Sequence, residues 1–200
     1  GSLPTVASHA DGGKRSISTP GAGNYLTVAQ AAASVQDLLG KDVLARETIV
    51  QAHGTSTPQN RVTESDVLSR VARTFGIENW AVCAVKSQLG HSQGTAGGDQ
   101  LAISLGTFAS QITPGIQTTD AVAPDVVQDG LDFIFKSREQ RVSAALVNAK
   151  GFGGNNSTAA VLSPEATALL LKSRHGEINF RGSDEVQACQ EHYRHKICLL

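Results

Sequence analysis

The chain has 200 residues, a mass near 20.9 kDa and a formal net charge of −1, with 40% hydrophobic and 18% charged residues. That is long enough for one domain with its own core. The charge balance offers neither a basic footprint for nucleic acid nor a patch for an anionic membrane surface. No stretch reaches the apolar length of a membrane span, and the three cysteines, an odd number with no secretory signal, read as thiols of a reducing, cytoplasmic compartment.

In chain order, residues 3–26 read as loop, with "DGGK" and "STPGAGN" as turn clusters. Val28, Ala31, Ala32, Val35, Leu38 and Leu39 recur at helical spacing before Gly40. "TIVQA" (48–52) predicts a short buried strand with His53 at its end. Val67, Leu68, Val71, Ala72 and Phe75 then mark an amphipathic helix that stops at Gly76. "WAVCAV" (80–85) predicts a second buried strand, with Lys86 just beyond it. A helix is expected from about Thr95 to Gln111. "LDFIF" (131–135), "VSAALVNA" (142–149) and "TAAVLS" (158–163) read as strands, with "KGFGGNN" (150–156) turning between the last two. Together these elements describe a layered α/β fold with a mixed sheet. Past Ser163 a capped helical start, a polar middle and a helix-like end suggest an appended extension, dividing the chain into 1–163 and 164–200.

The chemistry concentrates at strand ends. His53 and His91 each follow an apolar run and enter a loop rich in glycine and hydroxyls. Lys86 and Glu64 offer opposite charges near those ends, able to pair and to fix an imidazole. Thr55 and Thr57 offer hydroxyls to an amide-bearing ligand. Two imidazoles converging from neighbouring strand ends can donate to one developing oxyanion. Cys83, inside a strand three residues before Lys86, reads as an inert core thiol.

"AHGTSTP" with Glu64, "VKSQLGHSQGTAGG" and "NAKGFGGNN", in this order, resemble the C-terminal half of β-ketoacyl-acyl-carrier-protein synthases, decarboxylating condensing enzymes with the thiolase fold. The resemblance covers roughly residues 8–163. It implies that His53 and His91 bind the malonyl thioester carbonyl and stabilise the enolate left when CO₂ departs. It makes Lys86 the lysine of the "KS" motif and Glu64 the acid that holds the lysine–histidine network. Thr55 and Thr57 would touch the phosphopantetheine arm. Phe152 would gate the pocket and lend its backbone N–H to an oxyanion hole. Phosphopantetheine would arrive on an acyl carrier protein, with no metal or other cofactor bound by the chain, and the primer would be acyl-carrier protein or acyl-CoA. The complete enzyme would be a homodimer whose nucleophilic cysteine lies in an N-terminal half outside these residues.

Three positions depart from the family pattern. Asn60-Arg61 replaces Gly-Asp, Lys150 replaces an aromatic before "GFGG", and Gln100 replaces a glutamate that pairs with the lysine, with Asp99 adjacent to substitute. A non-catalytic, chain-length-factor-like subunit is the rival reading, against which His53, His91, Lys86 and Glu64 all argue. A thiolase acting on CoA esters would use a different His and Cys pairing. Other signals carry little. Cys189, His192, His195 and Cys198 would span about 13 Å on one helix, too far for a single zinc. "GFGGNN" lacks a phosphate-loop lysine and precedes a strand, and "NNS" and "NST" match glycosylation acceptors by coincidence.

Overall fold

A computed structural model of the chain describes residues 1–12 and 22–176. Contacts divide the chain into Gly1–Ala168 and Leu169–Leu200. The first unit is built on a six-stranded mixed sheet in the order β1-β8-β7-β2-β3-β5. Its strands are β1 (Ser2–Ala10), β2 (Thr48–Gln51), β3 (Trp80–Cys83), β5 (Leu131–Phe133), β7 (Ala144–Gly151) and β8 (Asn155–Leu162). Two short strands, β4 (Ile112–Thr113) and β6 (Arg138–Glu139), pair separately. The helices are α1 (Ala22–Leu39), α2 (Lys41–Arg46), α3 (Pro58–Phe75), α4 (Lys86–Leu89), α5 (Ala96–Ser110) and α6 (Pro164–His175), of which Leu169–His175 fall in the second unit.

Side-chain alternation along the central strands explains the layers. Ile49 of β2, Cys83 of β3 and Ala145 and Val147 of β7 face one side, where they pack with Phe108 and Leu101 of α5. The intervening residues face the other side, where Asn148 of β7 bonds Asn24 of α1 and Glu64 of α3. Both faces are covered, so β2 and β7 are buried along nearly their whole length, as doubly covered strands are. β2 pairs parallel with both β3 and β7, and β3 parallel with β5. The C-terminal ends of all four therefore gather at one edge of the sheet, where open α/β sheets collect ligands.

Helix α1 begins at Ala22, inside the stretch expected to be loop, and three further differences from the sequence expectation have clear physical causes. Ser2–Ala10 is a strand rather than loop, paired antiparallel with β8 along the sheet edge. Only Ala7 of this strand is buried, so backbone hydrogen bonds rather than apolar patterning hold it, and the register shifts across Pro4. Helix α3 starts at Pro58, nine residues before its apolar stripe. Proline suits a first helical position because its missing N–H has no intrahelical acceptor. The early turns bury polar groups, Asn60, Thr63 and Glu64, which hid the helical period. The β7–β8 turn is Phe152-Gly153-Gly154 rather than seven residues, because Lys150 pairs with Asn156 and Gly151 with Asn155. Gly153 and Gly154 take φ of 81° and 77°, a region that favours glycine.

The helical start expected after residue 163 is present, with Ser163 Oγ accepting the Ala166 N–H. The Cys189–Cys198 pattern and the rest of the extension lie outside the described residues. Among the described residues, no helix is long and apolar enough to cross a membrane, and no cluster of side chains could hold a metal ion.

Leu146 is fully buried on β7, whereas Leu105 on α5 is 48% exposed. In urea unfolding, Leu146→Ala is expected to cost roughly 2–5 kcal/mol and Leu105→Ala no more than about 0.5 kcal/mol. Equal losses would contradict this core.

Candidate active site at the C-terminal edge of the sheet

Glu64 is the anchor. Its side chain is almost fully buried, which alone would push its pKa up. The Lys150 charge and hydrogen bonds that include those from Gly54 and Asn60 oppose burial, and the net shift is downward. Oε1 accepts the His53 N–H at 2.7 Å and Asn148 Nδ2 at 2.7 Å. Oε2 accepts the Gly54 N–H at 2.9 Å and Asn60 Nδ2 at 2.9 Å. Four donors from β7, α3 and the loop after β2 thus replace water around the carboxylate, as a buried ion requires.

The loop after β2 is shaped for this contact. Gly54 has φ of 54°, and a Cβ there would lie 2.7 Å from the Ala84 Cβ. Only glycine allows both the left-handed turn and the close approach to the residue after β3. Ser56 also takes a positive φ, 55°, despite its side chain.

His53 is 1% exposed. Its Nδ1 accepts the Lys150 backbone N–H at 3.2 Å, so Nδ1 carries no proton in this arrangement. A neutral ring must then hold its proton on Nε2, and that nitrogen is buried with no partner among the described residues. Burial is the main force keeping the ring neutral: it lowers the pKa from 6.5 to about 4. Glu64 opposes the shift, while Lys86, His91 and Lys150 add to it. His91 stands beside it, ring centroids 5.4 Å apart and planes at 84°. The His91 Nδ1 accepts the Gln93 N–H at 3.1 Å, so a neutral His91 also carries its proton on Nε2.

These groups border a cavity of about 1180 Å³. Its wall includes His91, Lys86, Thr55, Thr57, Phe152 and Lys150. His53 itself sits behind the wall, between the lining residues Ala52 and Gly54. Thr55 and Thr57 bond each other through their hydroxyls at 3.3 Å. Phe152, at the tip of the β7–β8 turn, is 74% exposed.

The expected Lys86–Glu64 pair does not form. Glu64 is saturated by its four donors, and the Lys86 Nζ is buried without a hydrogen-bond partner among the described residues. Burial lowers the Lys86 pKa, against the opposing charges of Glu64 and Asp99. Asp99 is not its direct partner either; it accepts the Ser92 hydroxyl and makes no hydrogen bond to Lys86. Gln100 ties β2 to β7 instead of pairing with the lysine, its Nε2 donating to the carbonyls of Gln51, Ala52 and Asn148. Arg61 forms a two-pronged pair with Asp125, at 2.8 and 2.9 Å. Sequence reasoning did not single out Asn148 or Asn24. A polar residue inside the buried run "AALVNA" was the available signal.

A histidine whose pKa is lower in the folded than in the unfolded state withholds a proton that unfolding would take up. Its stabilising contribution is therefore complete above about pH 6.5 and is lost as pH falls toward 4. Urea unfolding between pH 7 and 4.5 is expected to show stability falling by about 2 kcal/mol from this group. His53→Asn, whose Oδ1 can still accept the Lys150 N–H, should flatten that slope. An unchanged slope would contradict a neutral, buried His53.

Comparison with known proteins identifies the family to which this fold belongs. Residues 2–119 match the family described as "Beta-ketoacyl synthase, C-terminal domain". The chain is 50% identical over 182 residues to the β-ketoacyl-[acyl-carrier-protein] synthase FabY of Pseudomonas aeruginosa, covering 90% of this chain and 29% of that protein. It is 32% identical over 110 residues to 3-oxoacyl-[acyl-carrier-protein] synthase 1 of Escherichia coli K12, covering 54% and 26%. The crystal structure of the P. aeruginosa ketosynthase FabY superposes with a TM-score of 0.83 at 50% identity, over 88% of this chain and 28% of that one. A β-ketoacyl synthase from Burkholderia phymatum superposes with a TM-score of 0.64 at 26% identity, over 80% and 37%. The chain thus spans about three-tenths of FabY's length, is homologous to β-ketoacyl-acyl-carrier-protein synthases, and belongs to the β-ketoacyl synthase C-terminal domain family.

Proposed function

We propose that this chain supplies the decarboxylating part of a β-ketoacyl-acyl-carrier-protein synthase active site. The complete enzyme would take an acyl group from acyl-carrier protein or acyl-CoA onto a cysteine and decarboxylate malonyl-carrier protein. It would then join the two by Claisen condensation, as a cytoplasmic homodimer. Residues 1–163 would be the ketosynthase portion and 164–200 an extension.

The observation that carries this reading is the Nε2 of His53, buried beside His91 and without a partner among the described residues. Loss of CO₂ leaves negative charge on the malonyl thioester oxygen. An oxygen reaching the two rings would give the Nε2–H of His53 the acceptor it lacks, with the Nε2–H of His91 as second donor. Donors already fixed in orientation stabilise such an oxyanion without reorganising. Neither imidazole is consumed, because neither transfers its proton. Lys86 would add positive charge at the same wall. Thr55 and Thr57 would exchange their mutual hydrogen bond for the amides of the phosphopantetheine arm. Phe152, exposed at its hairpin tip, would gate the cavity and offer its N–H to the acyl-transfer oxyanion. A non-catalytic partner subunit would gain nothing from two imidazoles held in donor tautomers.

Cys83 does not suit the nucleophile's role. It is fully buried, its Sγ donates to the Val50 carbonyl, and burial pushes its thiol up to about 12. The acylated cysteine would come from residues outside this stretch.

The test uses the full-length enzyme that carries this chain, with labelled-CO₂ release from malonyl-carrier protein measured beside labelled-primer transfer to the cysteine. His53→Ala or His91→Ala is expected to cut CO₂ release by about 10²–10³, with primer transfer falling much less. His53→Gln, which can place an amide N–H near the lost Nε2, should retain more CO₂ release than His53→Asn. Intact CO₂ release with collapsed primer transfer would assign the histidines to the other half-reaction.

A further inference from the structure

Lys150 is 9% exposed and lies at the end of β7, on the same face as Asn148. Its Nζ donates to Asn60 Oδ1 at 3.1 Å and Thr63 Oγ1 at 3.3 Å. The first of these bonds fixes the Asn60 amide. With Oδ1 turned to the ammonium, Nδ2 must turn to Glu64 Oε2, as it does. Asn148 is fixed by the same logic: its Oδ1 accepts Asn24 Nδ2 and Thr158 Oγ1, leaving Nδ2 for Glu64 Oε1. Glu64 in turn holds the backbone N–H groups of His53 and Gly54. Lys150 therefore reaches His53 twice, once through its own N–H on Nδ1 and once through Asn60 and Glu64.

Granted the decarboxylating site proposed above, we infer that Lys150 is a positioning residue whose ammonium, relayed through Asn60 to Glu64, keeps His53 a neutral Nε2–H donor.

The charge balance around the ring supports this assignment. The charged and titratable groups facing His53 are Glu64 from α3, Lys86 from α4, His91 from the following loop and Lys150 from β7. Glu64 alone favours an imidazolium; the other three oppose it. Burial lowers the pKa of Lys150 itself, opposed by the charges of Glu64 and Asp11, which hold the ammonium. Protonating Nδ1 would set its N–H against the Lys150 backbone N–H, two donors face to face, and spoil the ring's alignment. An aromatic side chain at position 150 could do none of the electrostatic part.

Lys150→Gln isolates the charge, since its amide can still donate to Asn60 while Glu64 keeps its four donors. The measurement is the pH profile of labelled-CO₂ release from malonyl-carrier protein by the full-length enzyme, for wild type, Lys150→Gln and Lys150→Arg. With the ammonium gone and Glu64 still anionic, the acid limb of the Gln variant is expected to move to higher pH. The Arg variant should restore the wild-type limb. Coincident limbs for wild type and Gln would overturn the assignment, as would a Gln variant that fails to fold, which would make Lys150 a purely structural residue. Absence of CO₂ release from the wild-type enzyme would instead overturn the decarboxylating reading itself.

Discussion

One buried carboxylate organises this site. Glu64 must be satisfied where water is excluded, and the four donors that satisfy it come from three separate parts of the chain. Its two oxygens accept from α3, from β7 and from the backbone after β2, so the carboxylate sets the distance between all three. Leaving any of those donors unpaired would cost roughly 1–3 kcal/mol. The local geometry is therefore strongly specified, and the strained-looking features follow from it. Gly54 turns left-handed against Ala84 because its N–H is drawn to Oε2.

The same constraint decides the chemistry of His53. A carboxylate near an imidazole ordinarily promotes protonation. Here the carboxylate bonds the His53 backbone rather than its ring, and Nδ1 of the ring accepts the Lys150 N–H instead. Burial and the surrounding cations then outweigh the carboxylate, and the ring stays neutral with its proton on Nε2. A catalytic acid or base would need a pKa near the working pH. A ring held well below it is suited to donating a hydrogen bond that it never gives up.

Much of this was legible in the sequence, for identifiable reasons. The buried strands "TIVQ" and "WAVC" and the ordered glycine-rich motifs announced a covered α/β sheet with histidines at its strand ends. Strand β1 was not legible, because an edge strand with one buried side chain shows no alternation. The start of α3 was hidden by its polar inner face: Asn60, Thr63 and Glu64 are buried where a periodic helix would show apolar residues. The roles of Asn60 and Lys150, visible only as departures from a family pattern, needed three dimensions, since residues about ninety positions apart meet there. The expected Lys86–Glu64 pair failed because charge and proximity in sequence do not count donors, and Glu64 had no acceptor site to spare.

The central claim is a statement about one proton. In the full-length protein with ¹⁵N-labelled histidine, with His53 assigned through His53→Asn, the imidazole nitrogen shifts report tautomer and charge directly. The account predicts a protonated Nε2 and an unprotonated Nδ1 at neutral pH, with no imidazolium until the pH nears 4. A proton on Nδ1, or an imidazolium titrating near the ordinary histidine value of 6.5, would contradict it.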